Sequence, residues 1–197
     1  MGTREKIFDT SVKLFCEHGY EGATVRDIAR EVGIKAGSIY NHFSSKEELL
    51  WEMYDFFERE QLKAMPDLDT LLKRAETEEP LNILMSLGFH YPPEIQLVMY
   101  RINIIAAAEA HHDEKRSDFV KKNFFEANAK PIETVLSRLM ELDRIEPVDI
   151  APIVSLVVNF AFSAVQRNLT TYPMLMEEWL EGMKFVFSQV KLKVKAE

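Results

Sequence analysis

The 197-residue sequence predicts an all-α protein, and three observations carry that prediction. Apolar residues recur at helical spacing nearly throughout, as in Ile7, Leu14 and Phe15 with small Ser11 between them, an i, i+4, i+7, i+8 face. Capping residues and glycines bracket the first such stretches. Prolines divide the remainder into segments of helix length.

The first helix is expected over residues 3–18, ending at Gly19, a residue suited to the left-handed position after a helix. Gly22 provides a tight link. Thr24 is a good N-cap, and Asp27 three residues on makes an acidic capping box, so a second short helix starts there with Val25, Ile28, Ala29 and Val32 and ends at Gly33. A third short helix spans about 36–43. Ser45 with Glu48 forms the next capping box, and a longer helix follows through about residue 64. Beyond Pro66, further helices are expected near 68–76, 80–89, 93–110, 114–142, 149–169 and 174–194. Pro131 falls inside the fourth of these and either kinks it or divides it.

Composition narrows the function classes. With 47% hydrophobic and 28% charged residues, 7 Gly and 8 Pro, the chain is neither disordered nor of low complexity. The single cysteine, Cys16, has no internal disulfide partner, and no Cys/His cluster has zinc spacing, so no cofactor or metal is expected. No run reaches 18 uninterrupted apolar residues, and charges occupy the first positions where a signal peptide needs an apolar run. A soluble, cytoplasmic protein with no membrane partner is the expectation. The net charge of −8, taken alone, argues against nucleic acid. Divided, it reads differently: residues 1–46 carry +1 and the remainder −9.

The most informative stretch is residues 24–50, TVRDIAREVGIKAGSIYNHFSSKEELL. A short helix, a glycine turn and a second short helix within twenty residues have the spacing of a helix-turn-helix. Ala29 is small where two helices cross, Gly33 permits the turn, and Val32, Ile34 and Ile39 are the expected miniature core. The second helix then exposes Lys35, Gly37, Ser38, Tyr40, Asn41 and His42, mostly short or hydrogen-bonding side chains suited to a major groove. Gly37 costs that helix about 1 kcal/mol relative to Ala, a cost that close approach of backbone to DNA would explain. The plain alternative is a helical bundle in which Ala29 and Gly33 serve packing alone.

This segment resembles the N-terminal DNA-binding domain of the TetR family of transcriptional regulators. The pattern IA-x3-G-turn-S-x-Y-x-HF-x2-K-x2-L is matched by Ile28, Ala29, Gly33, Ser38, Tyr40, His42, Phe43, Lys46 and Leu49. One position departs from it: Lys35 stands where the family often has Ser or Thr capping the recognition helix. The resemblance implies phosphate contacts from Tyr40, His42, Lys46 and the helix start at Thr24, Val25 and Arg26. It implies base reading by Lys35, Gly37, Ser38 and Asn41. Tyr40 packed on the fourth helix, His42 in a packing role and a merely solvated Asn41 are the alternatives.

The implied organisation is a three-helix DNA-binding domain over residues 1–46 and a larger helical ligand-binding and dimerisation domain over 47–197, sharing a border within the fourth helix. In the resembled family the last two long helices form a homodimer, here through residues 149–194, and the larger domain binds a small-molecule effector. Both of those helices carry apolar residues on more than one face, including Ile153, Leu156, Val157, Phe160 and Val165, then Trp179, Met183, Val186, Phe187 and Val190. Polar residues among apolar neighbours nominate Asn103, Asn128, Asn159 and Gln166 as ligand contacts, with Phe89, His90 and Tyr100 near them, although each also fits an interhelical or surface role.

The run EAHHDE from Glu109 contains one E-x-x-H pair, but a di-iron bundle needs a second, so a solvated helix end is the better reading. GxSxG is absent and no catalytic residues are expected. The leading expectation is therefore a sequence-specific transcriptional regulator, a repressor released from a double-stranded DNA operator by a small molecule. The alternatives are a helical small-molecule-binding protein or enzyme with an incidental helix-turn-helix, and a DNA-binding protein answering to a protein partner.

Overall fold

Thr24 and Asp27 illustrate how local chemistry places the elements. The Thr24 hydroxyl accepts from the Asp27 amide at 3.2 Å while the Asp27 carboxylate accepts from the Thr24 amide at 3.0 Å, so two first-turn donors are satisfied reciprocally. A computed structural model describes residues 2–87, 91–168, 176–188 and 190–191. Among them the regular elements are all helical: α1 Thr3–His18, α2 Val25–Val32, α3 Ala36–Ile39, α4 Lys46–Ala64, α5 Leu68–Arg74, α6 Pro80–Met85, α7 Pro93–Glu109, α8 Glu114–Val120, α9 Ala127–Glu141, α10 Ile150–Arg167 and α11 Met176–Ser188.

The packing forms two compact units. One comprises Met1–Lys63 with Tyr91–Val120, the other Ala64–His90 with Lys121–Glu197. The border between them falls at the end of α4, between Lys63 and Ala64. The return of Tyr91–Val120 to the first unit has no sequence signal, because α7 joins by packing along α1 rather than by chain proximity. Residues 1–46 are thus part of a larger packed body.

Within the first unit, Ile7, Val12, Phe15, Ile28, Ile39, Phe43, Leu49, Leu50 and Met53 are fully enclosed. The turn core differs from expectation. Ile39 is buried, but Val32 and Ile34 are only half-buried, and Ile28, Ala29 and Phe43 complete the packing instead. Gly33 adopts φ +79 and ψ 33, the left-handed conformation that lets α2 end and α3 begin. Gly19 also has positive φ, but its ψ of 159 lies outside the left-handed helical region expected for it. The third helix stops at Ile39 rather than near 43. Its interior holds Gly37, and Lys35 gives it no side-chain cap, although the Phe43 amide still reaches the Ile39 carbonyl at 3.0 Å.

In the second unit, Leu71, Ile83 and Leu84 pack with Ile132, Val135, Leu136 and Leu139 of α9, Ile153 and Val157 of α10, and Met183, Val186 and Phe187 of α11. The helix expected over 114–142 appears as α8, a turn of π-helix at Lys121–Glu126, and α9, with Pro131 inside α9. Pro131 has no N–H to donate, and the widened turn immediately precedes its segment. The Asn128 amide donates to the carbonyls of Phe124 at 2.8 Å and Asn123 at 3.4 Å within that turn.

Candidate nucleic-acid interface

The proposed reading surface is built on a braced frame. Arg4 of α1 places its guanidinium 4.5 Å from the Phe43 ring centroid and pairs with Glu52 of α4 at 3.0 Å. Lys13 of α1 pairs with Glu31 of α2 at 3.1 Å. These contacts tie α1 to both sides of the helix-turn-helix.

At the start of α2 the Asp27 carboxyl is held below its ordinary value, first by the Thr24 hydroxyl and amide and then by Arg30 at 2.6 Å. The Thr24 hydroxyl is therefore engaged inside its own cap. Val25 and Arg26 hold the first-turn positions whose N–H groups have no intrahelical acceptor, the feature that suits a helix start to a phosphate.

On α3 and the turn after it, Lys35, Gly37, Tyr40 and Asn41 are exposed, while Ser38 and His42 are half-buried. Tyr40 is 56% exposed, so its ring is not taken up by packing on α4. A methyl group added at Gly37 would meet nothing within 4 Å. The capping box expected of Ser45 and Glu48 is shared by two serines. The Ser45 hydroxyl accepts from the Glu48 amide at 2.9 Å, whereas the Glu48 carboxylate accepts from the amide and hydroxyl of Ser44 and its pKa falls as a result.

Lys46 has a second task that its motif position did not reveal. Its ammonium donates to the Tyr20 carbonyl at 2.7 Å and the Ala23 carbonyl at 3.3 Å, and lies 4.2 Å from the Tyr20 ring centroid. It thus closes the link between α1 and α2 directly ahead of Thr24. Two of its three donors are engaged, and its charge also pairs with Glu21 at 3.9 Å.

Residues 7–53 match the family model described as bacterial regulatory proteins, tetR family. The stretch is similar to the uncharacterized HTH-type transcriptional regulator YerO of Bacillus subtilis, 33% identical over 79 residues, which are 40% of this chain and 27% of that protein. It is also similar to the HTH-type negative transcriptional regulator of the biofilm operon, IcaR, of Staphylococcus epidermidis, 46% identical over 46 residues, which are 23% of this chain and 25% of that protein. Residues 7–53 are thus a segment of the TetR-family type. The chain covers only about a quarter of the length of these curated relatives. Over nearly its whole length it shares the TetR-family fold. The ketosteroid transcriptional regulator KstR2 of Mycobacterium tuberculosis superposes with a TM-score of 0.64 at 20% identity, covering 98% of this chain and 96% of that one. The TetR-family regulator PfmR of Thermus thermophilus gives 0.60 at 19% identity, covering 93% of each.

The residues nominated for a ligand fall in both units. In the first, the Tyr100 hydroxyl accepts from Gln96 at 2.9 Å, and Asn103 is buried with its side-chain oxygen unpartnered. In the second, Asn128 serves the π turn, Asn159 is exposed and donates to the Ser155 carbonyl at 2.7 Å, and Gln166 is half-buried. Phe89 and His90 lie outside the described residues. Two surface hollows in the second unit, of about 420 and 310 Å³, include none of the nominated residues. Among the described residues no group of three or more His, Cys, Asp or Glu side chains has a metal-binding arrangement.

Sequence reasoning missed three buried polar residues of the first unit. Arg116, 8% exposed, pairs with Glu109, 5% exposed, at 3.0 Å, so the EAHHDE run is not simply a solvated end. Tyr54 is buried with an unpartnered hydroxyl, stacked on Phe119 at 4.1 Å, and burial pushes its pKa up. An apolar-periodicity reading sees Tyr54 only as core, and it offers no signal that pairs Glu109 with Arg116.

Proposed function

We propose that this chain is a sequence-specific DNA-binding transcriptional regulator of the cytoplasm, acting as a homodimer on a double-stranded operator and released from it by a small molecule. The observation that carries the reading is the exposed α3 surface, with Lys35, Gly37, Tyr40 and Asn41 free of packing on a helix-turn-helix whose turns are each pinned by a named contact. Phosphates are held by Val25 and Arg26 at the α2 start, with Thr24 capping it, and by Tyr40, His42 and Lys46. Lys35, Gly37, Ser38 and Asn41 read bases. That IcaR is named a negative transcriptional regulator supports repression as the direction of control.

Homodimerisation rests on α10 and α11. The α10 helix has a mean hydropathy of 1.4 over 18 residues, enough by length and composition to cross a membrane, yet only 22% of those residues are buried within the single chain. Leu156 is 55% and Phe185 71% exposed. A second copy covering this face accounts for an apolar helix left open. The effector reading is supported by the unpartnered buried oxygens of Tyr54 and Asn103, since a buried polar atom without a partner costs about 1–3 kcal/mol that a bound polar group would recover.

Replacing Asn41 by Ala tests base reading. The expected result is a changed preference at one position of a DNA pool with little change in salt dependence. Uniform weakening on all sequences would instead assign Asn41 to the phosphates.

A further inference from the structure

Two cations share one ring in the first unit. Lys46 lies 4.2 Å and the Arg116 guanidinium 5.3 Å from the centroid of Tyr20, which is buried in the α1–α2 link with its ring edge-on to Phe15. Lys46 grips the carbonyls of Tyr20 and Ala23, the link residues ahead of the Thr24 cap. Arg116 stands on the far side of the chain in sequence, on α8. It is tethered to Glu109 at 3.0 Å, Asp113 at 3.2 Å and Glu47, next to Lys46, at 3.7 Å.

A buried ion pair is a weak source of stability, because removing two charges from water offsets most of their attraction. What it does supply is fixed geometry. Glu109 ends α7 and Arg116 sits in α8, so their pairing sets the corner between those helices and aims the guanidinium at Tyr20. Val120, four residues on, is the last residue of this unit, and Lys121 begins the other.

We propose that Arg116 is a positioning residue for DNA reading. Through Tyr20 and Lys46 it sets the link that starts α2, so the state of the α7–α8 corner tunes operator affinity without touching DNA. This rests on the DNA-reading function proposed above.

The test uses the full chain. The double substitution Glu109→Gln with Arg116→Gln removes both charges together and leaves none buried alone. Tyr20→Leu removes the shared ring with the ion pair intact. Tyr20→Phe keeps the ring face and serves as the control. Amide hydrogen exchange should quicken about tenfold at residues 20–28 in the first two variants, while Leu49–Phe57 of α4 stays protected and Tyr20→Phe matches the unmodified protein. Affinity for DNA that the unmodified protein selects from a random pool should fall about tenfold in the same two variants. Unchanged exchange at 20–28, an equal rise across α4, or a Tyr20→Phe variant behaving like Tyr20→Leu would overturn the proposal. An unmodified protein that selects no sequence would overturn the DNA-reading function itself, which the exchange measurement keeps distinguishable from failure of the link.

Discussion

The helix-turn-helix and the α10–α11 pair treat their surfaces in opposite ways. From residue 2 to 46, Tyr40 is the one large hydrophobic side chain left exposed among the described residues, and the turns are closed by Gly33, by the Thr24–Asp27 box and by Lys46. On α10 and α11, Leu156, Leu180 and Phe185 are exposed beside an otherwise packed core. The first surface is finished within one chain and polar where it faces outward, as a surface for a hydrated, charged partner should be. The second is left apolar, as a surface completed by another protein face should be.

The largest expected effect breaks the second surface. Leu156→Glu with Phe185→Glu places charges where a partner's apolar face is expected, so sedimentation should show a monomer. Operator affinity should fall by about a hundredfold or more as the two linked half-sites become independent. A persistent dimer would separate this face from assembly. On the first surface, Lys46→Ala removes two hydrogen bonds and a cation–π contact, which should lower stability by about 1–3 kcal/mol in a denaturant titration. If the ammonium also meets a phosphate, the slope of log affinity against log salt should drop by about 1. An unchanged slope in the folded variant would leave Lys46 as a structural clamp alone.

Two glycines sharpen the contrast between backbone need and ligand need. Gly33→Ala should destabilise by about 1 kcal/mol, since alanine is strained at a φ of +79. Gly37→Ala should instead stabilise by up to about 1 kcal/mol, because α3 has open space there, while weakening operator binding if the DNA backbone or a base comes close. Loss of affinity with gain of stability would mark Gly37 as functional. The smallest effect is on pH. Hydrogen bonds hold the carboxyls of Asp27 and Glu48 below their ordinary values, so their contribution is present above the unfolded value, near about 4, and is lost as pH falls through the lowered folded values. Asp27→Asn should flatten that acid limb slightly in thermal melts.

Local chemistry was legible in the sequence wherever it depended on neighbours along the chain. The bounds of α1, α2 and α4, the Thr24–Asp27 cap and the Gly33 turn all follow from residues within four positions of one another. The Ser44 share of the α4 cap was missed because two adjacent serines offer the same chemistry to Glu48. Contacts across the chain were not legible. Nothing near Lys46 announces that it caps carbonyls more than twenty residues earlier, and nothing near Arg116 announces Tyr20. The lengths of α5 and α6 were overestimated for the same reason: they end where the fold turns, not where apolar periodicity fades.

The most direct test of the central reading is selection of bound duplexes from a random DNA pool by the full chain, followed by alignment of the recovered sequences. The account predicts an enriched inverted repeat whose half-sites are centred one helical turn or a small multiple apart, about 34–36 Å per turn, as two α3 helices of a symmetric dimer require. Recovery of no enriched sequence would contradict it.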